Sequence, residues 1–272
     1  MSAMHKMDLI VLTGATRGLG LAMAGQLIAQ YDPGHPDQRH LHLLCISRGV
    51  NDALADQAQQ VRKTGFTLMQ WPLDLSRSVE AGNALARWLR EQDGGSYASA
   101  TLINNAGVIP GIAPLSTLTP EEISQALRVD LEAPMALSAA FLGATERWAE
   151  VHGTRRKILN VSSGLGRRPM ASQAVYCAAK AGMDHYTRCV ALEEARKPHG
   201  AKVCALAPGV IDTEMQAQLR GADAATFPDR ERFNLLQSTG LLDSPAAAAR
   251  KLLAWLDRPD FGHEVVADVR DD

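Results

Sequence analysis

A short apolar run, Leu9 to Thr13 (LIVLT), passes directly into Thr13-Gly14-Ala15-Thr16-Arg17-Gly18-Leu19-Gly20. The β-branched run favours an extended chain, and beyond the glycines Leu21, Ala24, Leu27 and Ile28 recur at helical spacing. The order is therefore strand, tight turn, helix. Glycines at 14, 18 and 20 let the backbone approach a pyrophosphate, which the free amides of a helix N-terminus can then bind. A nucleotide site is the reading, because the glycines both follow a strand and open a helix.

The same alternation repeats along the chain. Strands are expected at Leu41–Ile46, Phe66–Pro72, Ala100–Ile103, Lys157–Val161 and Lys202–Ala207, with a short last one at His263–Ala267. Helices are expected over 51–64 and 76–90, from Thr119 toward Trp148, through Tyr176 and Lys180 to about Arg196, and from Ser244-Pro245 to Leu256. Tyr31 to His40 is polar and turn-rich, an enlarged surface loop with no assigned role. Residues 214–242 break the rhythm, mixing Met215, Leu219, Phe227, Phe233, Leu235 and Leu236 with charges. That segment is read as an insertion that covers substrate, in preference to a peripheral helix pair. With 272 residues, 46% of them hydrophobic, the chain suits one domain spanning 1–272.

A net charge of −2 provides no basic field for nucleic acid or an anionic membrane surface. No apolar run approaches the roughly 18 residues of a membrane span, and Met1 to Asp8 is too short for a signal peptide. A cytoplasmic enzyme acting on a small molecule is expected. Cys45, Cys177, Cys189 and Cys204 form no CxxC pair and read as reduced, buried thiols. His40 and His42 have no partner at ligand spacing, so no metal site is assigned.

The candidate functional residues stand just past strands, where open parallel sheets bind ligands. Ser47 and Arg48 follow the second strand; with no acid there to bind ribose hydroxyls and an Arg able to accommodate a 2′-phosphate, NADP(H) is favoured over NAD(H). Arg17 adds a second cation on that side. Asp74, past the third strand, either borders the nucleotide or simply begins the next turn. Ser163 follows the fifth strand. Tyr176 and Lys180 lie at i and i+4, on one helix face. A phenol titrates near about 10, and a cation within about 4–6 Å lowers that by about 1–3 units, giving an acid/base near working pH.

Thr119, Pro120 and Glu122 form a helix start with a capping box. Pro134, further on, has no N–H for the carbonyl of Asp130, so a local kink is expected there, with that main-chain oxygen left for another donor.

Together TGxxxGxG at Thr13–Gly20, NNAG at Asn104–Gly107, Ser163, YxxxK at Tyr176–Lys180 and Pro208-Gly209 resemble the short-chain dehydrogenase/reductase family over nearly the whole chain. The stretch from Pro208 to Gln216 is similar to the branch containing sepiapterin and benzil reductases. The resemblance implies one doubly wound α/β (Rossmann) domain of about seven parallel strands with helices on both faces. It implies NAD(P)-dependent interconversion of carbonyl and alcohol, with NADPH reduction of a small ketone or dicarbonyl, aromatic or pterin-like, as the leading expectation. An NAD-dependent alcohol or polyol dehydrogenase and a non-catalytic nucleotide sensor are the alternatives.

By the same carry-over Tyr176 is the proton donor, Ser163 binds the reacting oxygen, and Lys180 tunes Tyr176 and holds the nicotinamide ribose. Gly14, Thr16, Arg17, Gly18, Leu19 and Gly20 would hold the phosphates, and Asp74 and Leu75 would border the adenine. Asn105, Ala106 and Gly107 would line the cofactor together with Pro208 and Gly209, while Ile211 and Thr213 would meet the carboxamide. Leu165, Met170 and Met215 are the expected substrate contacts, and a homodimer or homotetramer is implied. Asp130 departs from the family pattern, which has Asn there. A main-chain relay through the Asp130 carbonyl is expected to survive the change.

Overall fold

The computed structural model describes residues 6–30, 40–61 and 65–271. Among them, seven parallel strands form one sheet in the order β3-β2-β1-β4-β5-β6-β7. These are β1 (Met7–Thr13), β2 (Leu41–Ser47), β3 (Phe66–Pro72), β4 (Tyr97–Asn104), β5 (Arg155–Val161), β6 (Lys202–Ala207) and β7 (Val266–Asp268). The order reverses between β1 and β4, which opens a crevice at their carboxyl ends. The reading of 31–40 as a loop concerns residues that, His40 apart, lie outside the described ones, as do residues 62–64 at the end of the expected second helix.

Alternate strand residues enter opposite cores, as the two-residue period requires. Leu12, Leu43, Leu159 and Leu206 pack on one side with Met23 and Ile28 of α1 (Gly18–Ala29), Leu54 of α2 (Asp52–Val61) and Leu252 of a later helix. Val11, Leu44, Leu102 and Ile158 pack on the other with Leu85 and Leu89 of α3 (Ser78–Glu91). Both faces are covered, and the strands read as nearly continuous apolar runs for that reason.

The long helix expected from Thr119 is interrupted. α4 (Pro120–Leu127) carries the capping box, in which Glu122 N–H donates to Thr119 Oγ1 (3.2 Å) and Thr119 N–H to Glu122 Oε2 (2.8 Å). Arg128–Glu132 then form a π-helical turn before α5 (Ala133–His152), and the Ala133 amide reaches back to the Arg128 carbonyl. Pro134 is the physical cause: it cannot continue an α-helical ladder, and a wider turn absorbs the interruption. Four more α-helices follow among the described residues: α6 (Ala174–Glu194), α7 (Glu214–Gly221), α8 (Arg230–Ser238) and α9 (Pro245–Asp257). No helix among the described residues is long and apolar enough to cross a membrane.

Candidate active site

The glycine-rich turn is held against β4 by one side chain of β1. Thr13 Oγ1 accepts from the amides of Asn105 (2.9 Å) and Ala106 (3.0 Å), while Asn105 Nδ2 donates to the Thr13 carbonyl (2.9 Å). Ser47 Oγ accepts from the Ala15 amide at 2.9 Å, so Ser47 shapes the turn. Gly14 and Gly18 take φ of +74° and +55°, and a Cβ on Gly20 would overlap the Gly14 carbonyl. α1 starts without a side-chain cap and with no acid in its first turn. Bare backbone, uncapped amides and no acid in the helix's own first turn fit a pyrophosphate.

Around this turn the expected cations behave differently. Arg48 is exposed beyond β2, within electrostatic reach of Asp74. Arg17 pairs with Glu214 at the start of α7. Asp74 does begin a turn, its Oδ1 accepting from the Ser76 amide at 2.9 Å, and Leu75 beside it is buried. Gly209 has φ of +80° at the end of β6, where Ile211 bridges to Asp243.

Ser163, Tyr176 and Lys180 converge from two elements. Ser163 stands two residues past β5 and caps a 3-10 turn, Gly164–Gly166, by accepting from the Leu165 amide (3.2 Å). Tyr176 and Lys180 come from α6 and are buried. The Lys180 ammonium donates to the Val161 carbonyl (2.9 Å) and lies 5.7 Å from the Tyr176 ring centroid. Burial pushes Lys180 down, opposed by the carboxylates of Asp130 and Asp184. The Tyr176 phenol differs from expectation: it is pushed well above its ordinary value by burial and then by Asp130, against the pull of the nearby Ser163 hydroxyl. The lysine serves the Val161 carbonyl and the ring face, so the chain alone keeps the phenol protonated.

Asp130 joins this group from the π-helical turn. Its Oδ1 accepts from the Val108 amide at 2.8 Å, and Oδ2 is buried without a hydrogen-bond partner. Desolvation raises the carboxyl to about 6, with Lys180 and the Val108 amide opposing. An Asn carbonyl would serve Val108 equally well, so the departure from the family pattern leaves this contact intact.

The 214–242 segment folds as α7 and α8 around a small apolar cluster of its own. Leu219, Phe227 and Phe233 are buried there against Ile109, Ile112 and Met170. Ser172, the one non-glycine with positive φ (61°) among the described residues, donates to the Thr226 carbonyl and ties the segment to the start of α6. Of the expected substrate contacts, Met170 belongs to this cluster, while Leu165 and Met215 are half-buried. Two side chains escaped the sequence reading. Ser172 carries no signal, since nothing marks a left-handed serine in advance. Asp184 had one: it stands at i+8 from Tyr176, on the same helix face. Among the cysteines, Cys45 and Cys204 are buried as expected, whereas Cys177 is half-buried and Cys189 exposed.

The sheet order, the glycine-rich turn at the switch point and the Ser163, Tyr176 and Lys180 cluster define a dinucleotide-fold oxidoreductase site. Residues 8–224 match the short chain dehydrogenase family, and the chain belongs to it. It is an oxidoreductase acting on carbonyl or alcohol groups, in a family that uses a nicotinamide cofactor. A benzil reductase ((S)-benzoin forming) of Bacillus subtilis (strain 168) is 33% identical over 252 residues, 93% of this chain and 94% of the relative. Another, of Bacillus cereus, is 31% identical over 255 residues, 94% and 96% of the two chains. A sepiapterin reductase of Xenopus laevis is 32% identical over 211 residues, 76% of this chain and 74% of its own. A solved Beutenbergia cavernae structure, a putative NAD(P) dependent gluconate 5-dehydrogenase, superposes with a TM-score of 0.74 at 24% identity, covering 96% of this chain and 94% of that one. This last likeness concerns the fold.

Proposed function

We propose that the chain reduces a small ketone or vicinal dicarbonyl, aromatic or pterin-like, to the alcohol with NADPH. The observation that carries this reading is the Tyr176 phenol, buried and held protonated beside Ser163 at the edge of the nucleotide crevice. A protonated phenol is the form that a general acid for carbonyl reduction must have. A nicotinamide bound in the crevice would supply the hydride. Tyr176 gives its proton to the carbonyl oxygen as charge develops there, and Ser163 donates a hydrogen bond to the same oxygen. Lys180 compensates the phenolate left behind. The Asp130 carbonyl, which Pro134 cannot serve, would hold a water from which a proton passes by way of Lys180 back to that phenolate.

The benzil and sepiapterin reductases among the relatives support an aromatic dicarbonyl or pterin-like substrate. The apolar cluster of the 214–242 segment supports the same class, with that segment covering the substrate. Arg48 supports NADPH over NADH; Arg17 sits in an exposed ion pair of the kind worth little, so a phosphate can compete for it. Exposed Met135, Val151 and Leu192 on α5 and α6 support a homo-oligomer, which sedimentation would measure.

The test is oxidation of NADPH and NADH, in parallel, with benzil, sepiapterin and simple ketones as substrates. Turnover with NADPH that falls by at least about 100-fold in Tyr176→Phe, with NADPH binding retained, is expected. Unchanged turnover in that variant refutes the assigned acid, and a preference for NADH refutes the cofactor.

A further inference from the structure

Asp184 stands one helical turn beyond Lys180, as Lys180 stands one turn beyond Tyr176, so the three share a face of α6. It is 2% exposed. Its Oδ1 accepts from the Ser162 hydroxyl, and its Oδ2 has no hydrogen-bond partner, with Arg167 Nε 4.0 Å away. The turn carrying Arg167 is pressed onto the helix at this point: a Cβ on Gly166 would lie 2.8 Å from Asp184 Oδ2 and 3.0 Å from the Lys180 carbonyl oxygen. Ser163 closes that turn, its carbonyl accepting from the Gly166 amide at 2.9 Å. The placing of Ser163 relative to Tyr176 therefore depends on what fastens the end of β5 to α6.

A neutral acceptor would hold the Ser162 hydroxyl without the cost of a buried carboxylate whose second oxygen lacks a hydrogen bond. The charge thus calls for a role of its own, and Lys180 is its neighbour. Lys180 is faced by Asp130 from the π-helical turn and by Tyr176 and Asp184 from its own helix. Asp184 is faced by Arg167 from the turn, by the Ser162 hydroxyl from β5, and by Lys180 and Arg188 from α6. Arg167 is shared with Asp268 at the end of β7, 3.8 Å away, and Cys177 adjoins Tyr176.

We propose that Asp184 is a positioning residue: its carboxylate fastens Ser162 to the Tyr176 and Lys180 face of α6 and keeps the Lys180 ammonium charged. The inference rests on the roles proposed above for Ser163, Tyr176 and Lys180. Two substitutions separate its two parts. Asp184→Asn keeps an acceptor for Ser162 and removes the charge, whereas Ser162→Ala removes the hydrogen bond and keeps the charge.

The experiment measures kcat and KM across pH for both variants in the NADPH-linked diketone assay, with NADPH binding followed by fluorescence and Tyr176→Phe run alongside. In Asp184→Asn, kcat should fall about tenfold and its alkaline half-point should rise by about half a pH unit, because a less firmly charged Lys180 leaves the phenol less acidic. NADPH affinity should stay within about threefold. In Ser162→Ala, kcat should fall with the half-point unmoved. A wild-type half-point in Asp184→Asn, or a wild-type kcat in Ser162→Ala, overturns the proposal. Should Asp184→Asn fail to fold, Ser162→Ala decides alone by its kcat. Turnover surviving in Tyr176→Phe would overturn the underlying assignment instead, which keeps the two failures distinct.

Discussion

Asp130 and Lys180 face each other across the bare flank of Gly107: a methyl added there would sit 3.5 Å from Asp130 Oδ1 and 3.9 Å from Lys180 Nζ. The carboxyl still rises to about 6, because removal from water outweighs attraction to the cation. In the unfolded chain it returns to about 4. With the folded value raised, its contribution to stability is fully present below about pH 4 and is lost as pH rises through about 6. Asp130→Asn cannot titrate. The stability of the variant relative to the parent should therefore increase between pH 4 and pH 8, by on the order of 2–3 kcal/mol, read from melting curves. The same difference at both pH values would count against a titrating Asp130.

Catalysis in that variant should change little. The Val108 amide keeps its acceptor and the main-chain carbonyl of residue 130 is untouched, so kcat at neutral pH should remain within about tenfold of the parent. A gain of several orders of magnitude would mean that the carboxylate disables Lys180.

Gly20→Ala places a methyl on the Gly14 carbonyl. The turn must open, and with it the amides meant for the pyrophosphate. Loss of measurable NADPH binding by calorimetry is expected, with secondary structure by circular dichroism largely kept. Parent-like affinity would place the cofactor elsewhere.

Ser172 joins a strained backbone to a contact with the 214–242 segment. Ser172→Gly relieves the left-handed φ and removes the hydroxyl, whereas Ser172→Ala removes the hydroxyl alone. Both should raise KM for the carbonyl substrate several-fold and leave NADPH binding unaltered, and the Gly variant should be more stable than the Ala variant by about 1 kcal/mol. A KM unaffected in both would separate the segment from substrate binding.

Much of this was legible in the residues. β6 occupies the range its apolar run marks, because a strand buried on both faces leaves little choice of boundary. β3, a half-exposed edge strand, also keeps its expected range, which Gly65 and Pro72 bracket. β7 falls three residues later than its expected start, since a three-residue edge strand has almost no pattern to read. Pro134 betrayed an interruption but not its form; whether a helix kinks or widens depends on packing. In the site, i and i+4 spacing places Tyr176 beside Lys180, yet the phenol is raised where that spacing alone implies it is lowered. Spacing shows which charges are near and says nothing of burial, and burial dominates here.

The π-helical turn at Arg128–Glu132 acts as a phase shift between two helices. One surplus residue rotates everything beyond it by about 100° relative to a regular helix. With that offset, Asp130 looks toward Val108 and Lys180 while Leu137, Phe141 and Trp148 still look toward the sheet. Deleting one residue there would shorten the chain by almost nothing and change which way a whole face points. The core or the site would lose its side chains, and no adjustment of the flanking loops could restore both.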